Sequence, residues 1–523
     1  MLQNPWPSLE RQNAEVNLLT PNRRIKCPRC RQHFVFNKVR KDGIMGWLQD
    51  FKEFSDGTTA HGVKYIFHPS VHGNFKIVRI LFLVVWLVAI AYSLFVIYNA
   101  VGNYVGKPTG TKFQVIASNP YKEKPASIQF PTISVCSHNL VTKSYFKSND
   151  GLEELWSELD QWNPDTAENI DFNEGSPAAK YKDWTYEKII AEGGPANWTF
   201  LQCEHFINLC QEVIPQPDFF ERETTLTGNC FRINPNGKLR GKGGDYGKMQ
   251  LMFFADLNEY SDLTRREPQY GYTVVFHDHE SYSSTIPSGF WLSPGSIYKV
   301  DLSLGKEFRE PPPAGSCDPT RVNNTYGRYE ENSCIAQCRD DVLMEKCGCV
   351  HVSPPHPRNV PDKYYRGCTL EEWATCGLRA YKEWVVEYSN VNKVKTECNC
   401  PATCTEIAYK AQLSSSQLSK FYAEEKAAKL PPGYENAQDV LENLLIIDIL
   451  FTSMQISEIR EIVTYGWGNF LGDVGGVLGL FLGASMFTII EFIQFIVCAV
   501  LKGCCGLNDK ESRSHSPLYN ENL

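Results

Sequence analysis

WGNFLGDVGGVLGLFLGASMFTIIEFIQFIVCAVL, residues 467–501, decides the fold. From Val474 to Ile490 it carries no charged residue, with Asp473 at one end of that run and Glu491 at the other. Ionisable groups at membrane depth cost roughly 2.5–3.5 kcal/mol each on insertion scales, so they face a bundle interior or water. The two acids stand 18 residues apart, which puts them on one face of an unbroken helix with about 3.6 residues per turn. Val477, Leu480, Ala484 and Thr488 share that face, with Gly476, Gly479 and Gly483 beside it. Acid at both ends of a small-residue stripe reads as a cation pathway. Gly472-xxx-Gly476 and Gly479-xxx-Gly483 also read as a helix-packing seam, and the two readings are compatible.

Outward from that stretch, the chain of 523 residues has room for one large domain or for two or three ordinary ones. Its net charge of −8 points away from nucleic acid as a partner. Mean hydropathy is negative although two segments look membrane-spanning, so most of the mass faces water. Of 19 cysteines, 14 fall between Cys136 and Cys404, while Cys27, Cys30, Cys498, Cys504 and Cys505 lie outside. Dense, even cysteines imply an oxidising compartment and a disulfide framework whose connectivity spacing alone leaves open. Two sequons, Asn197-Trp-Thr and Asn323-Asn-Thr, fit a glycosylated exterior.

Residues 1–79 show no secretory signal and carry a basic cluster of Arg23, Arg24, Lys26, Arg29, Arg31, Lys38, Arg40 and Lys41. Basic residues before a first span predict a cytoplasmic N-terminus. Cys27, Cys30 and His33 supply three potential metal ligands without a fourth nearby, so the expectation is a reduced pair and no metal site. Residues 80–101, ILFLVVWLVAIAYSLFVIYNAV, run 22 positions without a charge, enough for a hydrocarbon core about 30 Å thick. With 465–501 as the second span, both ends lie on one side and 502–523 form a short cytoplasmic tail. Residues 102–464 are then one extracellular domain. Strands are expected at Lys112–Ser118, Ser127–Cys136, within 246–310 and from Asn443, and helices within 150–195. The fold class is α+β: two transmembrane helices flanking a large disulfide-rich extracellular domain.

Several segments together resemble the degenerin, epithelial sodium channel and acid-sensing ion channel superfamily. Thr59-Ala-His61-Gly62 is similar to its His-Gly motif before the first span, and Phe130-Pro-Thr-Ile-Ser-Val-Cys136 to its Phe-Pro-x-x-x-x-Cys strand. Leu471 to Ser485 is similar almost residue for residue to its second-span signature. The resemblance covers about residues 55–500 and implies a homotrimer or heterotrimer in the plasma membrane. It further implies a hand-shaped ectodomain with a central palm sheet and peripheral helices, and sodium-preferring conduction that amiloride blocks. It assigns Gly483, Ala484 and Ser485 to a narrow selectivity belt where the second helix breaks. Gly472 falls at an outer gate, Asp473 and Glu491 at upper and lower carboxylate rings, and His61 and Gly62 on a re-entrant gating segment. The break would put the two acids on separate half-helices. The family's disulfide ladder implies Cys136–Cys230, Cys203–Cys210, Cys317–Cys404, Cys334–Cys400, Cys338–Cys398, Cys347–Cys376 and Cys349–Cys368. No cofactor is implied, and Na+ is the permeant ion.

The gating stimulus is less legible. Acid-sensing relatives carry histidines just past the first span, where this chain reads Asn103-Tyr-Val-Gly-Lys107. They also place a Trp after the proline run, where it reads Pro313-Ala314-Gly315, so Tyr98 or Tyr104 is left to make the aromatic wrist contact. The acidic stretch Glu153, Glu154, Glu158, Asp160, Asp165, Glu168 and Asp171 reads as a solvated face, or alternatively as a set of perturbed carboxylates. Gly228-Asn-Cys-Phe231 is similar to invertebrate channels opened by FMRFamide-type peptides, which favours an extracellular neuropeptide as ligand over protons, mechanical force or constitutive opening. A two-span scavenger-type receptor would need neither acid in its second span. An ATP-gated channel would need a basic phosphate cluster and other cysteines. An enzyme would need a motif such as HExxH, a Gly-x-Ser-x-Gly elbow or a phosphate loop, and none is present.

Overall fold

The computed structural model describes residues 54–55, 57, 76–117, 128–205, 208–210, 219–225, 228–261, 270–283, 289–355, 365–388, 397–427 and 436–505. Its contacts divide them into two compact units, one within Asn99–Leu471 and the other within Met1–Tyr98 and Gly472–Leu523. The first unit is built on β12, Leu444–Val463, a strand of 20 residues. Its first half, LLIIDILF, is apolar apart from Asp448 and shows no alternation, as a strand covered on both faces requires. Buried Phe451 and Ile449 each contribute about 1.5–3 kcal/mol by leaving water.

A seven-stranded sheet forms around β12. Its order is β11 (Thr405–Gln417), β10 (Ser296–Phe308), β12, β7 (Met249–Phe254), β3 (Phe200–His205) and β4 (Asn208–Leu209). Strand β1, Thr109–Ala117, pairs with the second half of β12, where β7 has ended, with Thr109 opposite Val463. β10 runs parallel to β12 along both halves and ends with Phe308 opposite Arg460. β12 is therefore paired on both sides over most of its length, and the next helix begins four residues after it, at Trp467.

A second, five-stranded sheet packs on the first. Its order is β9 (Phe290–Leu292), β8 (Tyr272–His277), β2 (Thr132–Ser137), β6 (Gly228–Ile233) and β5 (Phe220–Thr225). Alternation sends Ile133, Val135, Phe231, Ile233, Tyr272 and Val274 into a core shared with Leu251, Phe253, Leu302 and Phe451. The same alternation leaves Ser134, Cys136, Cys230, Arg232 and Glu223 on the other face. The strand expected over Ser127–Cys136 is split, because Pro131 has no N–H for a ladder and the pairing resumes at Thr132.

Helices form the periphery. α2, Leu152–Asp160, and α3, Pro164–Ala167, join a separate core with Trp156, Tyr186, Ile189 and Trp373. α4, Glu331–Cys347, and α5, Leu378–Glu387, lie in the cysteine-dense block. Cys334 and Cys338 stand one turn apart on α4 and reach Cys400 and Cys398. Cys317–Cys404, Cys347–Cys376 and Cys349–Cys368 continue the nest, and Cys136–Cys230 and Cys203–Cys210 staple the sheets.

Candidate ion pathway and its extracellular coupling

α1, Lys76–Gly106, is among the described residues the one helix that is long and apolar enough to cross a membrane by itself. Its apolar side chains point outward, Ile80 and Leu94 among them, and the Ser93 hydroxyl donates to Ala89 O at 2.8 Å within the helix. The second apolar stretch is two helices, α8 (Trp467–Leu482) and α9 (Met486–Cys505), which reach spanning length together as a bent pair. Tyr92 of α1 meets Phe481 of α8 at 5.0 Å between ring centroids.

The break has a local cause. Gly483 takes φ 58°, a left-handed conformation that ends a helix at little cost for glycine. The Ala484 N–H then turns back to Leu478 O at 3.0 Å. Ser485 starts α9 by reciprocal capping: its N–H donates to Thr488 Oγ1 at 3.1 Å, and its hydroxyl oxygen accepts from Thr488 N–H at 3.3 Å. The two axes differ by 82°. Asp473 consequently lies on α8 and Glu491 on α9, and the shared face of a continuous helix does not exist. Among the described residues, a Cβ at Gly472, Gly475, Gly476 or Gly479 would meet nothing within 4 Å. Phe54 lies against Phe492 and Phe495, next to Glu491. His61, Gly62, Cys27, Cys30 and His33 lie outside the described residues.

At the start of α8, Tyr104 meets Trp467 at 5.7 Å and Phe470 at 5.3 Å, and Trp467 stacks on Phe470 at 5.5 Å. Tyr104 rather than Tyr98 makes the aromatic contact there, since Tyr98 is 78% exposed. Thr464 donates to Pro108 O through its N–H at 2.9 Å and through its hydroxyl at 2.8 Å.

The acidic stretch is not wholly solvated, because an arginine ties two of its carboxylates. Arg379 of α5 binds Glu168 and, at 2.9 Å, Asp165, and its hydrogen bonds hold the Glu168 carboxyl below the usual range. An upward shift occurs on the five-stranded sheet. Glu223 lies on the polar face of the five-stranded sheet, with Ser283 Oγ donating to it at 3.3 Å. Burial pushes its carboxyl up to about 7, against the pull of Arg232. Nothing in the charge pattern marks Glu223; the alternation of β5 is the signal that could have found it. His277 shares a 2.8 Å hydrogen bond with Ser134 and is pushed down to about 4 by burial, with Arg232 adding to the effect. His138 is likewise lowered to about 4 by burial. His277 and Asp278 are thus core fixtures, with Asp278 taken by Arg328 at 2.9 Å. No cluster that could hold a metal occurs among the described residues. Asn197 and Asn323 are both exposed, as an acceptor of glycan must be. Gly228 to Phe231 are all buried in β6, so the fold itself uses that motif.

Residues 54–495 match the family model of the amiloride-sensitive sodium channel. The chain belongs to that family, the superfamily of degenerins, epithelial sodium channels and acid-sensing ion channels, and is a cation channel rather than an enzyme. It is 27% identical over 461 residues to the bile acid-sensitive ion channel of Homo sapiens, covering 85% of each chain. It is 26% identical over 490 residues to acid-sensing ion channel 1C of Danio rerio, covering 88% of this chain and 86% of the relative. Over 491 residues it is 24% identical to acid-sensing ion channel 1 of Gallus gallus, at 88% and 87% coverage.

Proposed function

We propose that the chain forms a trimeric, sodium-selective, amiloride-sensitive channel of the plasma membrane, with both termini cytoplasmic and an extracellular ligand as its stimulus. The observation that carries this reading is the break at Gly483, Ala484 and Ser485, set between two apolar helices in a chain of this family. Three such breaks around an axis would bring small residues close enough for backbone carbonyls to replace part of the hydration shell of Na+. Rings of Asp473 outside and Glu491 inside would raise the local cation concentration. Gly472 would serve as the outer gate, and His61 and Gly62 would act from the cytoplasmic side. The open glycine face of α8 supports a neighbouring subunit there.

The first reading of the stimulus is a neuropeptide, supported by the departures from the acid-sensing pattern at Asn103–Lys107 and Gly315. The burial of Gly228–Phe231 removes weight from that motif as a ligand signature. A proton is the second reading, favoured by Glu223, which changes charge near neutral pH. Whole-cell recording in a heterologous cell, with amidated peptides, acid and a bile acid applied in turn, tests both. The expected result is a sodium current blocked by amiloride and evoked by an amidated peptide. A current evoked by acid alone would transfer the role to the proton, and no current from any stimulus in surface-expressed protein would count against ligand gating.

A further inference from the structure

We infer that Glu461 is a positioning residue for gating, whose carboxylate ties the base of the disulfide-braced block to the strand that becomes the second membrane segment. This rests on the reading of the chain as a channel opened from outside. Strand β10 ends at Phe308, opposite Arg460, so Glu461 is the first residue of β12 beyond that ladder. The chain leaving β10 nevertheless stays attached, because the Glu310 N–H donates to Glu461 Oε2 at 2.9 Å. A charged acceptor makes this a stronger bond than an ordinary amide–carbonyl pair.

The segment after Glu310 folds tightly about that carboxylate. Gly315 N–H donates to Pro311 O at 3.1 Å. A Cβ at Gly315 would lie 1.9 Å from Glu310 O and 3.0 Å from Glu461 Oε2, so no side chain fits at this position. Where relatives are expected to hold an aromatic ring, this chain requires its absence. On the far side the strap is pinned to the braced block through Cys317–Cys404, through Arg309 N–H to Cys404 O at 2.9 Å, and through Asp318 N–H to Ala402 O at 3.2 Å. On the near side, Glu461 pairs across the ladder with Thr111 of β1, and β12 ends two residues later at Val463. Arg460 stacks over Phe308 at 4.0 Å and binds Glu458 at 2.9 Å, which keeps the end of β10 in register beside the strap. A displacement of the braced block thereby reaches the last residues of β12 through this carboxylate as well as along the β10 ladder, and the carboxylate acts beyond the point where that ladder ends.

The test uses the full-length chain carrying Gly472→Cys, in which an aqueous cationic methanethiosulfonate reads gate opening without any ligand. Glu461→Ala should change the resting modification rate about tenfold. Glu461→Gln, whose amide oxygen still accepts the Glu310 N–H, should stay close to the parent. The current after modification should keep its amiloride block and sodium-to-potassium ratio in all three. Should Glu461→Ala fail to reach the surface, Glu461→Asp, which withdraws the oxygens by one methylene, replaces it with the same expectation. Equal rates in parent, Gln and Ala (or Asp) would overturn the inference, and so would Gln behaving like Ala, because charge rather than this hydrogen bond would then be responsible. If the Gly472→Cys parent passes no current after modification, the channel reading itself has failed and the inference falls with it.

Discussion

Between Cys317 and Cys404 five disulfides hold helices and strands in a single arrangement, while α8 contains no buried residue at all. The contrast extends to composition. The body within Asn99–Leu471 buries Phe253, Phe451 and Trp373 almost wholly, whereas Leu480 and Phe487 of the helices stand 81% and 74% exposed. Helices of that kind are stable when lipid and neighbouring helices cover what the chain leaves open. Changes in the body should therefore appear mainly as stability, and changes in the helices mainly as conduction.

The largest effect should come from the staples. By loop-closure entropy, Cys136–Cys230, with a sequence separation of 94, stabilises by about 4.7 kcal/mol. Cys203–Cys210, with a separation of 7, contributes about 2.4 kcal/mol on the same basis. Cys136→Ser with Cys230→Ser should thus lower the melting temperature of solubilised protein far more than the Cys203/Cys210 pair; the reverse order would mean that loop closure is not the main contribution.

A smaller effect, with a defined sign, concerns the polar face of the five-stranded sheet. Glu223 is raised in the folded state, so its stabilising contribution is present below about 4.5 and is lost as pH rises through about 7. His277 is depressed to about 4, so its contribution is present above about 6.5 and is lost as pH falls towards 4. Each is worth about 3 kcal/mol at 1.36 kcal/mol per pKa unit. Glu223→Gln should raise the melting temperature at pH 8 and leave it unchanged at pH 4. Equal shifts at the two pH values would show that the gain has nothing to do with the proton.

In the helices, Ser485→Ala should remove about 1 kcal/mol of capping from α9, with Ser485→Asn restoring most of it. Capping loss alone would alter current amplitude equally in both ions, so a changed sodium-to-potassium ratio in the Ala variant would assign Ser485 to the belt. The smallest effect is expected for Tyr104→Leu, about 0.5 kcal/mol from lost ring contacts with Trp467 and Phe470. It should shift the stimulus dose–response without changing selectivity, and a selectivity change would move Tyr104 into the pathway.

Much of this contrast is legible in the sequence. The uncharged run of α1 and the apolar first half of β12 each carry a signal stronger than any local propensity. The cysteines announce a braced exterior, although their pairing came from family resemblance. What stayed illegible depends on distant partners. The hydrogen bond from Glu310 to Glu461 joins residues 151 apart in sequence, and Arg379 is 211 residues from Glu168. Neither pairing leaves a periodic trace. The break at Gly483 was expected from the family resemblance alone: helical periodicity runs straight through it, and the left-handed glycine is a matter of backbone rather than of polarity.

The most direct test of the account is the permeability ratio of an opened pore. Gly472 replaced by Phe should give a standing current that amiloride blocks and that prefers Na+ to K+. Adding Gly483→Ala, which forces a Cβ into a left-handed position, should abolish that preference while leaving protein at the cell surface. An unchanged sodium-to-potassium ratio in the double variant would contradict the assignment of the pathway to the helix break, and no current in the surface-expressed Gly472→Phe variant would contradict the pore itself.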